Sequence, residues 1–202
     1  MILNFSQMSR DEELAQIAAN DTEQYITRKQ AFDDIKDKNV LNYLAKNAKD
    51  DWIRLESAIQ TDNFRILKEL SENSDERIQL EASIELNDQD KLLAIVVNSN
   101  EGLHRDVALK HITSKKHLRN IIDESPREEE KVKAAIRLGD KEVCKALVTE
   151  VKNEDLLLNM ARSINDSELF AEISHNTSDS RIREIAENWL EDYKTGVGID
   201  ID

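Results

Sequence analysis

The sequence contains few of the residues that mark disulfide-bonded, loop-rich or membrane-spanning proteins. Its 202 residues include one cysteine, one proline and four glycines, and aromatic residues make up 4% of the chain. A single cysteine rules out a disulfide within the chain, and the scarcity of proline and glycine argues against collagen-like or linker-like segments. No apolar run is long enough to cross a bilayer. The first ten residues lack the basic and apolar regions of a signal peptide, so we expect a cytoplasmic protein without a membrane partner.

Acidic residues dominate the charge of the chain. There are 42 aspartates and glutamates against 28 lysines and arginines, which gives a net charge of −14. This charge disfavours phosphate backbones, so we expect no nucleic-acid partner. The sequence shows no paired Cys/His signature and no phosphate-binding glycine loop. It therefore indicates no catalytic residue, cofactor or metal site, which favours a non-catalytic protein without deciding the question.

A turn recurs along the chain at a nearly constant interval of about 26 residues. Asp or Ser occupies each turn, and its side chain can accept a hydrogen bond from an unpaired N–H group in the first turn of a helix. Pairs of apolar residues follow these turns, as in short amphipathic helices. The recurring positions are Asp37, Asp62, Asp88, Ser114, Asp140, Asp166 and Asp192, with Asp11 one step earlier.

A second helix is predicted in each repeat from a column of small residues. Such a residue lets neighbouring helices approach closely, and an apolar residue often stands five positions before it. The column consists of Ala31, Ala58, Ser83, Ala108, Ala135, Ala161 and Ala186. The apolar residues before it are Ile26, Ile53, Ile78, Leu103 and Leu156. In the fifth repeat, we expect Ser125 to cap the second helix, Pro126 to take its first position and Gly139 to follow its end.

Two short helices per period predict an all-α fold, namely a right-handed α-solenoid of about seven helix pairs with a period of about 25–26 residues. We expect residues 1–10 to form an N-terminal cap segment, 11–192 a single repeat domain and 193–202 a mobile tail. The predicted repeats cover about 11–36, 37–61, 62–87, 88–113, 114–139, 140–165 and 166–191.

The second-helix stretches resemble the HEAT-like repeats of the armadillo/HEAT class. They read WIRLESAI, ERIQLEASI and RIREIAENWL, which is similar to that family's succession of a turn acid, Val or Ile, often Arg, and a small residue. The resemblance covers about residues 11–192 and implies a curved array whose concave face binds a partner. The repeats are shorter than typical HEAT units and lack the usual proline in the first helix. The leucine-rich variant repeat, which pairs an α-helix with a 3₁₀ helix, is the structural alternative.

A scaffold that binds a protein or peptide partner is the function that this architecture favours. If the second helices line the concave face, residues two before and two after the small residue face outward, with mixed charge and an excess of acid in repeats 2 and 3. Trp52, at the start of a second helix, is a candidate anchor, but the pattern favours a structural role in which it fixes that helix to the layer beneath. The candidate partner-binding residues are Lys29, Asp33, Trp52, Glu56, Gln60, Glu81, Glu85, Asp106 and Lys110.

Two other functions stay open. HEAT-like relatives include DNA alkyl-base glycosylases and bilin-attaching lyases, so the resemblance implies an enzyme or enzyme accessory as one alternative. The net charge of −14 counts against the glycosylase, and nothing in the sequence indicates a tetrapyrrole. The other alternative is a structural unit that assembles end to end through uncovered terminal layers.

Overall fold

The computed structural model describes residues 8–195, and every regular element in this range is an α-helix. The all-α prediction is therefore confirmed. None of the described helices is both long and apolar enough to cross a bilayer. The helices are α1 (Arg10–Ala19), α2 (Tyr25–Asp33), α3 (Lys38–Asn47), α4 (Asp51–Gln60), α5 (Phe64–Leu70), α6 (Glu76–Glu85), α7 (Gln89–Asn98), α8 (Gly102–His111), α9 (Lys115–Glu124), α10 (Glu128–Leu138), α11 (Lys141–Glu150), α12 (Glu154–Ile164), α13 (Ser167–Asn176) and α14 (Ser180–Thr195).

The helix starts follow the interval found in the sequence. The second helices of the pairs, α2 to α14 in even numbers, begin at Tyr25, Asp51, Glu76, Gly102, Glu128, Glu154 and Ser180. From α3 onward, the first helices begin at Lys38, Phe64, Gln89, Lys115, Lys141 and Ser167. Successive starts in both series are therefore almost evenly spaced. All the second helices are α-helices rather than 3₁₀ helices.

Most of the predicted turn residues lie at helix starts. Asp37 accepts a hydrogen bond of 2.7 Å, and Asp166 one of 2.9 Å, from the backbone N–H two residues later. Asp88 accepts one of 3.2 Å from the N–H three residues later. A side-chain cap of this kind stabilises a helix by about 1 kcal/mol. Ser114 and Asp140 take the N-cap positions of α9 and α11, but the side chain of Asp140 makes no cap hydrogen bond and accepts from Arg119 at 3.1 Å instead.

Three predicted turn residues were assigned the wrong role. Asp62 has a φ of 52°, and the next residue, Asn63, caps α5 instead by accepting from a backbone N–H at 3.3 Å. Asp192 lies inside α14, which continues without a break through Thr195. Asp11 lies inside α1, whose cap is Ser9. The interval locates the repeat to within a residue or two, but local turn geometry decides which side chain caps the helix.

The predicted start of α10 at Pro126 is also wrong. Ser125 is the C-cap of α9 and accepts a hydrogen bond of 3.2 Å from the N–H of Arg127. Arg127 then takes the N-cap position, and α10 begins at Glu128. Gly139 does end α10, with a φ of 66°, in the left-handed region that glycine adopts at little cost.

Arginines at the fourth position of several second helices bind the ends of the first helices. The Nε of Arg28 donates to the carbonyl of Ala18 in α1 at 3.1 Å, and the Nε of Arg54 to that of Ala45 in α3 at 3.3 Å. The corresponding pairs in later repeats are Arg105 with Ser99 and Arg183 with Thr177. Because the last carbonyls of a helix have no partner within it, each arginine satisfies one of them and fastens the two helices of a pair together.

Acids in the first turn of one helix bind the loop one repeat further on. Asp11 accepts hydrogen bonds from the backbone N–H of Lys36 at 2.7 Å and of Asp37 at 2.6 Å. Glu128 accepts two bonds of 3.0 Å from the N–H groups just before α12. These backbone hydrogen bonds hold the pKa of Asp11 and of Glu128 below the ordinary values.

The chain divides into two compact units, unit 1 (Met1–Lys91) and unit 2 (Leu92–Asp202). Within each, the packed helices are neighbours or next neighbours in the sequence. The single domain over 11–192 stays a prediction. Residues 1–7 and 196–202, which hold most of the predicted cap segment and tail, lie outside the described residues.

Thin layers of aliphatic and small side chains form the core of each unit. Counted from the helix starts, three residues of the predicted column stand at the seventh position and four at the eighth, and all seven are buried: Ala31, Ala108 and Ala186, then Ala58, Ser83, Ala135 and Ala161. Ile26 and Leu103 were wrongly predicted in the core, because their side chains are 66% and 73% exposed. The residues at the seventh position are Ala31, Ser57, Ala82, Ala108, Ala134, Met160 and Ala186, all buried.

The third position of the second helices holds a buried charge in α10. Buried isoleucines occupy this position in α4, α6 and α14, but in α10 it is Glu130, which is 2% exposed. The Nε of Arg105 donates to Glu130 Oε1 at 2.5 Å. Arg105 therefore holds an otherwise uncompensated carboxylate as well as the end of α7.

We expect Arg105→Met to lower the free energy of unfolding by about 3–5 kcal/mol, because it leaves Glu130 buried and unpaired. The double variant Arg105→Met with Glu130→Ile should recover most of this loss, since an isoleucine is native at the equivalent position of three other helices. Urea unfolding of the two variants and the wild type measures both steps. A double variant no more stable than Arg105→Met would contradict the pairing.

We expect Asp11→Asn to lose the part of the stability that depends on the charged carboxylate. The pKa of Asp11 is lower in the folded chain than in the unfolded one, so this stabilisation is complete above about pH 4 and is lost as the pH falls further. The difference in unfolding midpoint between wild type and variant should therefore narrow below about pH 4. Glu13→Gln is the control, because the exposed Glu13 accepts no backbone hydrogen bond among the described residues; its midpoint should follow the wild type throughout.

Candidate functional site

Seven of the nine candidate residues lie on three successive second helices of unit 1. In each helix they are four residues apart, so they share one side of it. The same spacing leads back to Tyr25 in α2 and to Arg77 in α6. We call the resulting surface the unit 1 face. It consists of Tyr25, Lys29 and Asp33 in α2, Trp52, Glu56 and Gln60 in α4, and Arg77, Glu81 and Glu85 in α6.

Glu56 occupies the middle of the unit 1 face. Burial raises the pKa of Glu56, and the charges of Asp33, Glu81 and Glu85 raise it further, while Lys29 opposes them. The carboxylates on α2, α4 and α6 are therefore close enough to repel one another. The structure brings together five of the candidate residues in this way.

Only part of this negative charge is balanced within the face. The Nζ of Lys29 pairs with Asp33 at 3.0 Å, and this hydrogen bond raises the pKa of Lys29. Glu56, Glu81 and Glu85 form no ion pair among the described residues. With two cations and four carboxylates, the face has a net charge of −2. Gln60 is exposed at the end of α4 and adds an uncharged hydrogen-bonding group.

Trp52 lies at one edge of the unit 1 face, beside a cavity of about 330 Å³. The guanidinium of Arg77 lies over its indole, 4.7 Å from the ring centroid. Trp52 is half-buried, whereas Tyr25 is 58% exposed. We call this cavity the aromatic cleft. It is lined by Tyr25, Asp50, Asp51, Trp52, Asp75 and Arg77, together with Ile78.

The two remaining candidates, Asp106 and Lys110, belong to unit 2. Unlike Glu56, Glu81 and Glu85, Asp106 forms an ion pair within the described part of the chain. Asp106 accepts from the Nζ of Lys133 at 2.6 Å, and Lys133 also pairs with Glu129 at 2.7 Å. Burial lowers the pKa of Lys133, but these two hydrogen bonds outweigh it and raise the pKa overall. Asp106 thus shares the charge of Lys133 with Glu129. Lys110 is exposed on α8.

A larger cavity of about 660 Å³ lies between α1 and α3. Its apolar lining includes Ala15, Ala19, Val40, Tyr43 and Leu44. It shares no lining residue with the aromatic cleft. None of the candidate residues lies in it.

Trp52 is the one predicted candidate that lines the aromatic cleft; the prediction missed Tyr25, Arg77 and the aspartates Asp50, Asp51 and Asp75. A signal for Arg77 is present in the sequence, because IRLESAI at 53–59 aligns with IQLEASI at 78–84. This alignment places Arg77 at the position of α6 that is equivalent to the position of Trp52 in α4. Asp50 and Asp75 stand two residues before Trp52 and Arg77, which is a spacing typical of helix caps.

Comparison with protein families, with curated proteins and with solved structures found no match to this chain. The resemblance to HEAT-like repeats therefore rests on the sequence pattern. In the described part of the chain, no three His, Cys, Asp or Glu residues are grouped as metal ligands would be.

We expect Glu56→Gln to raise the free energy of unfolding at neutral pH by about 0.5 kcal/mol, because it removes a half-buried charge from three acidic neighbours. The pKa of Glu56 is higher in the folded chain than in the unfolded one. The charged carboxylate therefore opposes folding fully above the folded-state pKa, and Glu56 has no such effect below about pH 4, where it is protonated in both states. The advantage of the variant in urea unfolding should therefore vanish by about pH 4. A variant less stable than the wild type at neutral pH would show that Glu56 is not under repulsion.

Proposed function

We propose that this protein is a non-catalytic scaffold of the α-solenoid class, and that the unit 1 face binds a positively charged, extended segment of a partner protein. The almost even spacing of the seven helix pairs in the described residues supports the solenoid arrangement. Contacts between neighbouring and next-neighbouring helices within each unit agree with it. In repeat proteins of this kind, the aligned second helices commonly supply the binding surface.

The alignment of three rows of side chains on α2, α4 and α6 is the observation that carries this proposal. The four-residue spacing places these side chains on one side of each helix. The three helices are close together, because charges on α2 and α6 act on Glu56 and because Tyr25, Trp52 and Arg77 line one cavity. Folding alone does not explain the charge of that surface, because Glu81 and Glu85 add to the repulsion at Glu56, which Lys29 opposes only in part. A basic partner would relieve this repulsion on binding.

The pairing in unit 2 strengthens the contrast. There, the single ammonium of Lys133 pairs with both Asp106 and Glu129. The same chain therefore contains carboxylates that form ion pairs across second helices, and others that form none among the described residues, namely Glu56, Glu81 and Glu85. We assign the binding role to the second group.

The proposal is tested by selecting, from a display library of short random peptides, those that bind the wild-type protein. We expect the selected peptides to be enriched in lysine and arginine. Glu56→Gln, Glu81→Gln and Glu85→Gln, combined in one variant, should weaken the binding of such peptides about tenfold, and added salt should weaken it further.

The matched control combines Glu13→Gln, Glu23→Gln and Asp62→Asn, which removes the same amount of charge from exposed positions elsewhere in unit 1. It should bind the selected peptides nearly as well as the wild type. Peptides without basic enrichment would contradict the proposal, and so would an equal loss of affinity in the two triple variants. Circular dichroism at the binding temperature shows whether each variant is folded.

A further inference from the structure

The aromatic cleft has an exposed aromatic ring that the core does not require. Tyr25 stands in the first position of α2 and is 58% exposed, whereas buried Phe32 lies near the end of the same helix. Trp189, the second tryptophan of the chain, packs against two side chains of unit 2. It stacks on Phe170 with 5.0 Å between ring centroids, and the guanidinium of Arg162 lies over it at 5.3 Å. Trp52, by contrast, borders a cavity.

Three carboxylates surround the aromatic cleft at fixed positions. Asp50 accepts from the N–H of Trp52 at 2.9 Å and pairs with Arg28. Asp51 accepts from the side-chain amide of Asn73 at 2.7 Å and pairs with Arg54 at 3.0 Å. Asp75 accepts from the N–H of Arg77 at 2.9 Å and forms no ion pair among the described residues. Asp50 and Asp51 are therefore each paired with an arginine, and Asp75, which a backbone hydrogen bond orients, is the carboxylate of the cleft whose charge is available.

The chemistry of the lining favours a cation attached to an apolar stem. The guanidinium of Arg77 lies over the indole of Trp52, so a cationic side chain of this chain already packs on one aromatic ring of the cleft. The volume of about 330 Å³ is at the small end of the range for ligand sites. Lysine and arginine side chains combine an alkyl stem, which packs on aromatic rings, with a charge that requires carboxylates.

We propose that the aromatic cleft binds one lysine or arginine side chain of the partner, with its alkyl stem against Tyr25 and Trp52 and its charge towards Asp75. This inference rests on the proposed function, since the cleft borders the unit 1 face, and it supplies the residue that anchors the partner. The acidic carboxylates at the centre of the face then contribute attraction, while the cleft contributes selectivity for a cationic side chain with an apolar stem.

Anisotropy of a labelled oligolysine peptide tests the cleft with a variant that leaves the charge unchanged. Tyr25→Ala should weaken binding about three- to tenfold through the loss of cation–π and stem contacts. Tyr43→Ala is the matched control, because Tyr43 is similarly exposed in unit 1, at 64%, and lies outside the cleft. Long-range electrostatics cannot account for a difference between these two variants.

Asp75→Asn provides a second variant that keeps the helix cap, since asparagine caps helices as well as aspartate does. It should weaken peptide binding more than Glu13→Gln, which removes the same charge from α1. The emission of Trp52, observed in a Trp189→Phe background that keeps an aromatic ring on Phe170, should change on addition of oligolysine and not of oligoglutamate.

If Tyr25→Ala and Tyr43→Ala bind oligolysine with equal affinity, or if the emission of Trp52 does not respond to oligolysine, the proposal that the cleft binds a cationic side chain is wrong. The triple variant of Glu56, Glu81 and Glu85 separates this outcome from failure of the proposed function. If that variant weakens binding and Tyr25→Ala does not, the unit 1 face binds the basic partner and the cleft does not take part. If Tyr25→Ala alone weakens binding, the cleft stands and the acidic carboxylates do not bind the partner.

Discussion

Satisfying the backbone groups at helix ends is the constraint on which this structure depends. The short helices of the described residues leave a large share of their N–H and C=O groups without a partner inside the helix. The chain meets this requirement with charged and polar side chains at repeated positions. Aspartates and asparagines cap helix starts, first-turn acids accept from the loop one repeat further on, and arginines donate to the ends of the first helices. The high content of charge is thus part of the fold.

The same arrangement separates structural side chains from available ones on a single helix. In α4, Arg54 turns towards the end of α3, while Trp52 and Glu56 stand two residues before and after it. Residues two apart in a helix lie on nearly opposite sides. The arginine that holds a helix pair together therefore faces away from the unit 1 face, and that face can vary in composition without loosening the pair.

Much of the helical arrangement was predictable, because spacing depends on many residues and tolerates local errors. The repeat interval located the helix pairs even though Asp62 and Asp192 do not cap helices. Local details were less accessible: the left-handed conformation at Asp62 and the loop position of Pro126 depend on turn geometry that a column of residue types does not encode. Five predicted candidate residues, Glu56 and the four charged residues near it, lie together on one face. The cleft beside Trp52 could not be predicted from the sequence, since its carboxylates stand in or beside helix caps and have an evident structural role.

The short sequence distance between packed helices has a consequence for how each unit folds. Contacts join helices that are neighbours or next neighbours along the chain, so only short loops have to close before apolar surface is buried. Chains with such local contacts fold rapidly, commonly in microseconds to milliseconds, because little chain entropy is lost before the first contacts form. A nascent helix pair can thus collapse on its predecessor during synthesis, and the exposed apolar edge moves along the chain as each pair is added.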